Sequence, residues 1–285
     1  MKPAPFDYHQ ARSVAEAVAH LGEYGYEAKI LAGGQSLVPA MNFRLARPAV
    51  LVDINPLDEL DYLEEDGDTL RIGAMVRHVT FERPVTEGPT GRILTMAAQH
   101  VGHLPIRIRG TFGGSLAHAD PAAEWCVIAL LLDAELSTRS PSGSRDIPVA
   151  GFFQTVFTTA LEPDELLVEA RLPKLSPRTR IGFQQFSRRA GDFALTMAAV
   201  ALESDDGRVG NARIALGGVS DRPLRASEAE QALEGQPATG ESFRAAAEVA
   251  AREIDAIGDI HGSADYRRDL VRALTRRALE QATAA

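Results

Sequence analysis

The chain has 285 residues, 45% of them hydrophobic and 24% charged, values of a globular protein with room for two or three units and far from those of a disordered one. Its formal net charge of −9, with no Lys/Arg block able to track a phosphate backbone, excludes nucleic acid as an expected partner. No apolar run approaches the ~18 residues that a membrane span needs, and Met1 to Asp7 has no apolar signal core, so a soluble, cytoplasmic protein is expected.

Ser13 to Tyr24 reads as a helix capped by Ser13, with Glu16 completing a capping box and Val14, Ala17, Val18 and Leu21 as its apolar stripe. Lys29 to Ala32 and Val50 to Ile54 are short buried strands, so residues 1–55 form a small α/β lobe. A second lobe, 56–175, follows. In it Leu70 to Gly73 is a strand and Leu94 to Val101 a helix. Ile106 to Arg109 then alternates apolar and basic residues. Pro121 to Ala134 is a buried helix with Pro121 in its first turn, and Leu136 to Arg139 and Leu166 to Leu172 are strands. Two prolines between Leu172 and Arg178 mark a domain boundary. Beyond it, in 178–285, Phe183 to Arg188, Leu195 to Glu203 and Ala212 to Leu216 predict an antiparallel meander with a hairpin turn at Asp205-Asp206-Gly207. Helices follow over Ser227 to Leu233, Glu241 to Ile254 and Tyr266 to Ala282. The fold class is therefore α+β.

Two glycine pairs carry the chemistry. Ala32-Gly33-Gly34-Gln35-Ser36-Leu37 and Thr111-Phe112-Gly113-Gly114-Ser115 each follow an apolar stretch. A glycine pair admits φ > 0 and leaves no Cβ, so consecutive N–H groups can approach a ligand. The hydroxyls of Ser36, Thr111 and Ser115 have the reach of phosphate donors. Two such turns on separate loops can grip a pyrophosphate from both sides, although a tight turn alone explains a single pair, and a third pair, Gly217-Gly218, is of that kind. There is no G-x-G-x-x-G, no P-loop and no G-x-S-x-G elbow, which disfavours a Rossmann dinucleotide domain, a P-loop kinase and a serine hydrolase. The one cysteine, Cys126, lies in the apolar run Trp125 to Leu132 and reads as a buried, inert thiol. A single cysteine cannot ligate an iron–sulfur cluster or a Cys-rich zinc site. His100 and His103 stand at i, i+3 on a predicted helix without a supporting carboxylate, so no metal is expected. His118 and Asp120 follow the second pair either as cofactor wall or as satisfied loop residues. Glu124, in the first turn of the next helix, is explained by the helix macrodipole or by a ligand hydroxyl. Arg188-Arg189 with Asp192-Phe193 reads as a charged hairpin end. Arg268, Arg272 and Arg276 form a basic stripe on the last helix, either a solvated face or a docking surface.

The ordered motifs Ala32 to Leu37, Val52-Asp53-Ile54, Thr111 to Pro121 closing on Glu124, Ser187 to Ala194, Leu216 to Pro223 and Ala264 to Arg268 strongly resemble the FAD-binding medium subunit of molybdenum hydroxylases, those of aerobic carbon monoxide dehydrogenase and its bacterial paralogues above all. The resemblance runs essentially end to end. Gln35 stands where a His is often found, and Phe112 where an aliphatic residue is usual. The resemblance implies a two-lobed PCMH-type FAD-binding domain over 1–175 and a carbon monoxide dehydrogenase flavoprotein C-terminal-like domain over 178–285. It implies FAD held by the two glycine motifs with His118 and Asp120, Glu124 toward a ribityl or ribose hydroxyl, and Leu167 and Phe193 near the isoalloxazine. No residue of this chain is expected to be catalytic on the organic substrate. It further implies a large molybdenum-binding subunit and a small [2Fe-2S] subunit as partners, in a dimer of heterotrimers that passes electrons through FAD to an external acceptor. Two other readings of the residues stay open: a stand-alone flavin oxidoreductase and a non-catalytic anion-binding module. The missing substrate-cap domain, and the lack of a His or Cys placed for covalent flavin attachment, count against the former.

Overall fold

The computed structural model describes residues 1–284. The first lobe comprises β1 (Asp7–Gln10), α1 (Val14–Tyr24), β2 (Ala28–Leu31), α2 (Leu37–Asn42) and β3 (Val50–Asp53). Its sheet is parallel with order β1-β3-β2. The central strand, Val-Leu-Val-Asp, is buried at every position, as a parallel strand covered on both faces must be. Strand β1 was not legible, because Asp7-Tyr8-His9-Gln10 is polar and owes its place to pairing with β3. Ser13 caps α1 by accepting the Glu16 N–H at 3.1 Å, while the Glu16 carboxylate takes the Arg12 N–H, a capping box displaced by one residue.

The second lobe is antiparallel, with strand order β4-β5-β10-β6-β7. Its elements are β4 (Leu63–Asp66), β5 (Thr69–Gly73), α3 (Gly88–Ala98), α4 (Leu104–Arg107), α5 (Phe112–His118), α6 (Glu124–Leu131), β6 (Glu135–Ser140), β7 (Gly143–Pro148), β8 (Phe153–Thr155), β9 (Thr158–Thr159) and β10 (Leu166–Pro173). Three expectations are corrected here. The alternation at Ile106–Arg109 belongs to a helical turn, since Pro105 and the hydrogen bonds of Ile106 and Arg107 to His103 O start α4. Helix α3 begins earlier than expected, with Pro89 in its first turn, and ends at Ala98, leaving His100 and His103 beyond it. Pro121 precedes α6 in a turn that Asp120 closes by accepting the Ala122 N–H at 2.8 Å. All eight residues of α6 are buried, so this helix is the centre of the molecule.

The C-terminal part, β11 (Arg180–Phe186), β12 (Thr196–Asp205), β13 (Arg208–Gly217), β14 (Leu224–Arg225), α7 (Ser227–Leu233), α8 (Gly240–Glu253) and α9 (Ala264–Ala284), is the expected meander followed by helices. Its hairpin turn uses positive φ at Asp206 and Gly207. One face of β12 sends Met197, Ala199 and Ala201 into the core around α6. The other sends Ala198, Val200 and Leu202 under α8 and α9. The sheet is thus a shared wall between two cores. No helix among the described residues is long and apolar enough to cross a membrane.

Candidate functional site

Strand β2 ends at Leu31, and Ala32 to Ser36 carry the chain into α2 around a cleft of about 400 Å³ that Asp53, Asn55 and Arg109 also line. Gly34 sits at φ +71°, where a side chain would be strained. Among the described residues, the N–H groups of Gly33, Gly34, Gln35 and Ser36 have no acceptor. Gln35 is exposed, but Gly33 is buried and Gly34 and Ser36 half-buried, where amides are almost always paired. The Gln35 amide folds back to donate to Gly33 O at 3.0 Å, and the Ser36 hydroxyl caps nothing at the start of α2. Leu37 opens that helix.

The second glycine pair has another role than the sequence suggested. It lies inside α5, so it is no loop. Thr111 is the helix cap, and its Oγ1 accepts the Gly114 N–H at 3.0 Å. The amides of Phe112, Gly113 and Ser115 go to Val76 O, Ala74 O and Thr111 O. None of these N–H groups is left for a ligand. The glycines instead permit contact: a Cβ on Gly113 would meet Ala74 at 2.6 Å, and one on Gly114 would meet Thr111 Oγ1 at 2.6 Å and face Ala32 Cβ at 3.7 Å. Gly114 therefore brings the start of α5 against the first loop, and Thr111 and Ser115 offer hydroxyls rather than amides. Phe112 is fully buried, ringed by Phe81 and Trp125.

Residues that sequence reasoning missed tie the two motifs together. Asn55 donates through Nδ2 to Ala32 O at 2.7 Å and to Asp53 Oδ1 at 2.6 Å. Arg77 donates to Asn55 Oδ1 at 2.9 Å and to the Arg109 carbonyl. Gly33 packs on that same carbonyl and on Gly110 Cα, so closely that a Cβ would overlap them. Behind Gly110, His78 Nδ1 accepts the Trp125 indole N–H at 2.9 Å. Burial, with Arg77 and Arg107 nearby, pushes His78 down to about 3. The only hint of Asn55 in the sequence is its place two residues after Asp53, an Asx-type spacing; Arg77 and His78 carry none.

The remaining expected residues lie along α5 and beyond. His118 stacks on Phe157 with ring centroids 4.8 Å apart, and burial lowers its pKa while raising that of Asp120. Glu124 is 6% exposed and accepts the Gln185 Nε2–H at 3.0 Å. Its carboxyl, raised to about 7 by burial, thus engages β11. Among the described residues Gln185 Oε1, which is buried, finds no hydrogen-bond partner. Leu167 is in the core on β10, beside a bulge. Phe193 is 60% exposed on the β11–β12 loop, whose Gly191 rests on the His103 ring. His100 packs on Phe183, and the described residues hold no group of three or more His, Cys, Asp or Glu able to bind a metal ion.

Comparison with known proteins gives this arrangement its class. Residues 4–175 match the FAD binding domain in molybdopterin dehydrogenase, and residues 181–282 match the CO dehydrogenase flavoprotein C-terminal domain. The chain is 41% identical over 283 residues to 6-hydroxypseudooxynicotine dehydrogenase complex subunit alpha of Paenarthrobacter nicotinovorans, covering 99% of this chain and 96% of that one. Its fold superimposes on carbon monoxide dehydrogenase of Hydrogenophaga pseudoflava with a TM-score of 0.96 at 38% identity, over 100% and 99% of the two chains. Quinoline 2-oxidoreductase of Pseudomonas putida 86 gives 0.94 at 38% identity, over 99% and 98%. The chain belongs to the family of FAD-binding medium subunits of molybdenum hydroxylases, and is an oxidoreductase subunit of the carbon monoxide dehydrogenase type. In that family FAD is on this subunit, and molybdenum and iron–sulfur centres are on others. The residues present suit FAD: four unpaired amides, a left-handed glycine and free hydroxyls form a cradle for a diphosphate.

Proposed function

We propose that FAD lies with its diphosphate against Gly33, Gly34, Gln35 and Ser36, between Ala32, Leu37 and the start of α5. The observation that carries this is the run of four unpaired amides, three of them on residues that line the cleft. Thr111 and Ser115 add hydroxyl donors from the facing helix, with Phe112, Gly113 and Gly114 supplying the close packing that brings them there. His118, Asp120 and Glu124 border the ribityl side, Leu167 lies behind the ring, and Phe193 covers its open edge. Bound there, FAD joins one-electron and two-electron chemistry. The chain's own groups do the rest: amides and hydroxyls anchor the anion, buried apolar residues keep water from behind the ring, and Phe193 limits access from outside. The domain division that goes with this reading is 1–175 and 178–285. The assembly we envisage is a cytoplasmic dimer of heterotrimers with a large molybdenum-binding and a small [2Fe-2S] subunit.

The test is the flavin content and mass of the purified assembly. One FAD released per copy of this chain, in a complex holding two copies each of three subunits, is the expected result. An assembly that releases no flavin would overturn the site, and any other subunit stoichiometry the quaternary arrangement alone.

A further inference from the structure

Arg77, which precedes the turn His78–Glu82 after β5, is half-buried and hydrogen-bonded only to neutral oxygens, the Asn55 amide and the Arg109 carbonyl. Removing a guanidinium from water without a carboxylate partner is costly. Arg267 shows the ordinary solution: it too donates to backbone carbonyls, of Leu195 and Gly218, but Asp259 stands 2.8 Å away. At Arg77 the charges of two acids, Asp61 and Asp53, are felt, but neither forms an ion pair with it, and Asp53 is already engaged. Asp53 accepts from Tyr8 through Oδ2 and from the Asn55 N–H and Nδ2 through Oδ1. Asn55 stands between acid and base, with its amide fixed by Ala32 O on one side and Arg77 on the other. The Arg109 guanidinium repels and pushes the Arg77 pKa down after burial has done so, against the weaker pull of Asp61 and Asp53. Arg109 therefore lines the cleft with Arg77 held on its carbonyl, and among the described residues neither arginine is salt-bridged.

We propose that Arg77 is a positioning residue for the cofactor: it fixes the gap between the two glycine motifs and places a positive charge, without an ion pair among the described residues, behind the diphosphate. The geometry is specific. Arg77 grips the very carbonyl, that of Arg109, on which Gly33 rests, and through Asn55 it holds Ala32, the residue before the unpaired amides. A guanidinium spans both because its donors form a rigid fork, which a lysine lacks. The bound anion then supplies a counter-charge beyond the unpaired pull of Asp61 and Asp53. This inference rests on the flavin reading above.

The full-length chain, freed of flavin, is titrated with FAD and, as a probe that carries the diphosphate without the flavin half, with ADP, at two salt concentrations. Arg77→Met should weaken FAD and ADP together by about tenfold or more, the scale of one charge-assisted hydrogen-bonding group. It should also flatten the salt dependence of both affinities, with an unchanged circular dichroism spectrum. Arg77→Lys should restore the salt dependence but only part of the affinity. A folded Arg77→Met chain that binds FAD as the wild type does, or that loses FAD but not ADP affinity, overturns the proposal. Should Arg77→Met not fold, Asn55→Ala decides in its place, because it cuts the same link at its far end: weakened binding of both ligands supports the proposal and wild-type binding overturns it. A wild-type chain that binds neither FAD nor ADP would overturn the flavin reading and this inference with it, whereas a wild-type chain that binds both leaves the variants to decide this inference alone.

Discussion

Gly33 lies so close to the Arg109 carbonyl and Gly110 Cα that an alanine Cβ would overlap both, and the backbones, not flexible side chains, would have to yield. Gly33→Ala is therefore expected to open the gap between the first loop and α5 and to lower FAD affinity at least tenfold, on the scale of about 1–3 kcal/mol for an overpacked site. Equilibrium titration with FAD checks it, and unchanged affinity would show that the gap is not set there. Gly114→Val acts differently. Its new side chain would strike the Thr111 hydroxyl and point at Ala32, displacing the cap of α5 as well as filling the cleft wall. A soluble but largely colourless protein is expected, with a Tm lowered by the lost cap, about 1 kcal/mol. Full flavin occupancy in that variant would remove the start of α5 from the site.

At the scale of elements, the β11–β12 loop is pinned at its middle and at its β12 end, and only Phe193 between them is exposed among its large apolar residues. Gly191, at φ +84°, lies on the His103 ring, Arg267 donates to Leu195 O at 2.5 Å, and Phe193 projects from the span between. Phe193→Ala should leave flavin occupancy unchanged, because the anchoring groups lie elsewhere, and should alter flavin fluorescence and the rate of reoxidation. Identical spectra and rates would move Phe193 away from the ring. Helix α9 argues against its own basic stripe as a docking surface. Arg268 pairs with Asp265, Arg272 with Glu248 and Asp269, and Arg276 with Glu280, so each charge is already matched within the chain. The apolar periods of α1 and α7–α9 and the β12–β13 hairpin were readable because local pattern and tertiary burial agree there. The first glycine loop was readable for the same reason: Gly34 needs its φ, and the amides follow. What could not be read depends on partners far along the chain. Strand β1 exists through β3, the helical turn at Leu104 overrides an alternating tetrapeptide, and the Gly113-Gly114 pair is helical because Thr111 and Ala74 claim its amides. Arg77 and Asn55 meet across 22 positions, a distance that no local pattern encodes.

For the whole molecule, α6 and the wall of β11–β13 join what the sequence divides. Gly218 N–H donates to Pro121 O at 2.8 Å, Gly217 is pressed on Val127, and Glu124 meets Gln185 across the same seam. Two groups buried in this region pull stability in opposite directions with pH. His78, lowered by burial to about 3, is kept neutral in the fold, so its contribution is present above its ordinary pKa and is lost as pH falls toward 3. Glu124, raised by burial from 4.5 to about 7, is kept protonated, so its contribution is present below 4.5 and is lost as pH rises through 7. Asp120 shifts the same way as Glu124, and also by burial. Between about pH 4.5 and 6.5 the two slopes oppose and the flavin-free chain should show a stability plateau, with a decline on each side. Glu124→Gln keeps an amide oxygen to accept from Gln185 and abolishes the titration. The variant should match the wild type near pH 4.5 and exceed it at pH 8 by up to about 3 kcal/mol, the value of a shift of this size. Thermal unfolding of both proteins across that range is the measurement. If the variant declines with pH as steeply as the wild type does, the burden lies on Asp120 or elsewhere, and the Glu124–Gln185 contact across the seam is no more than a neutral hydrogen bond.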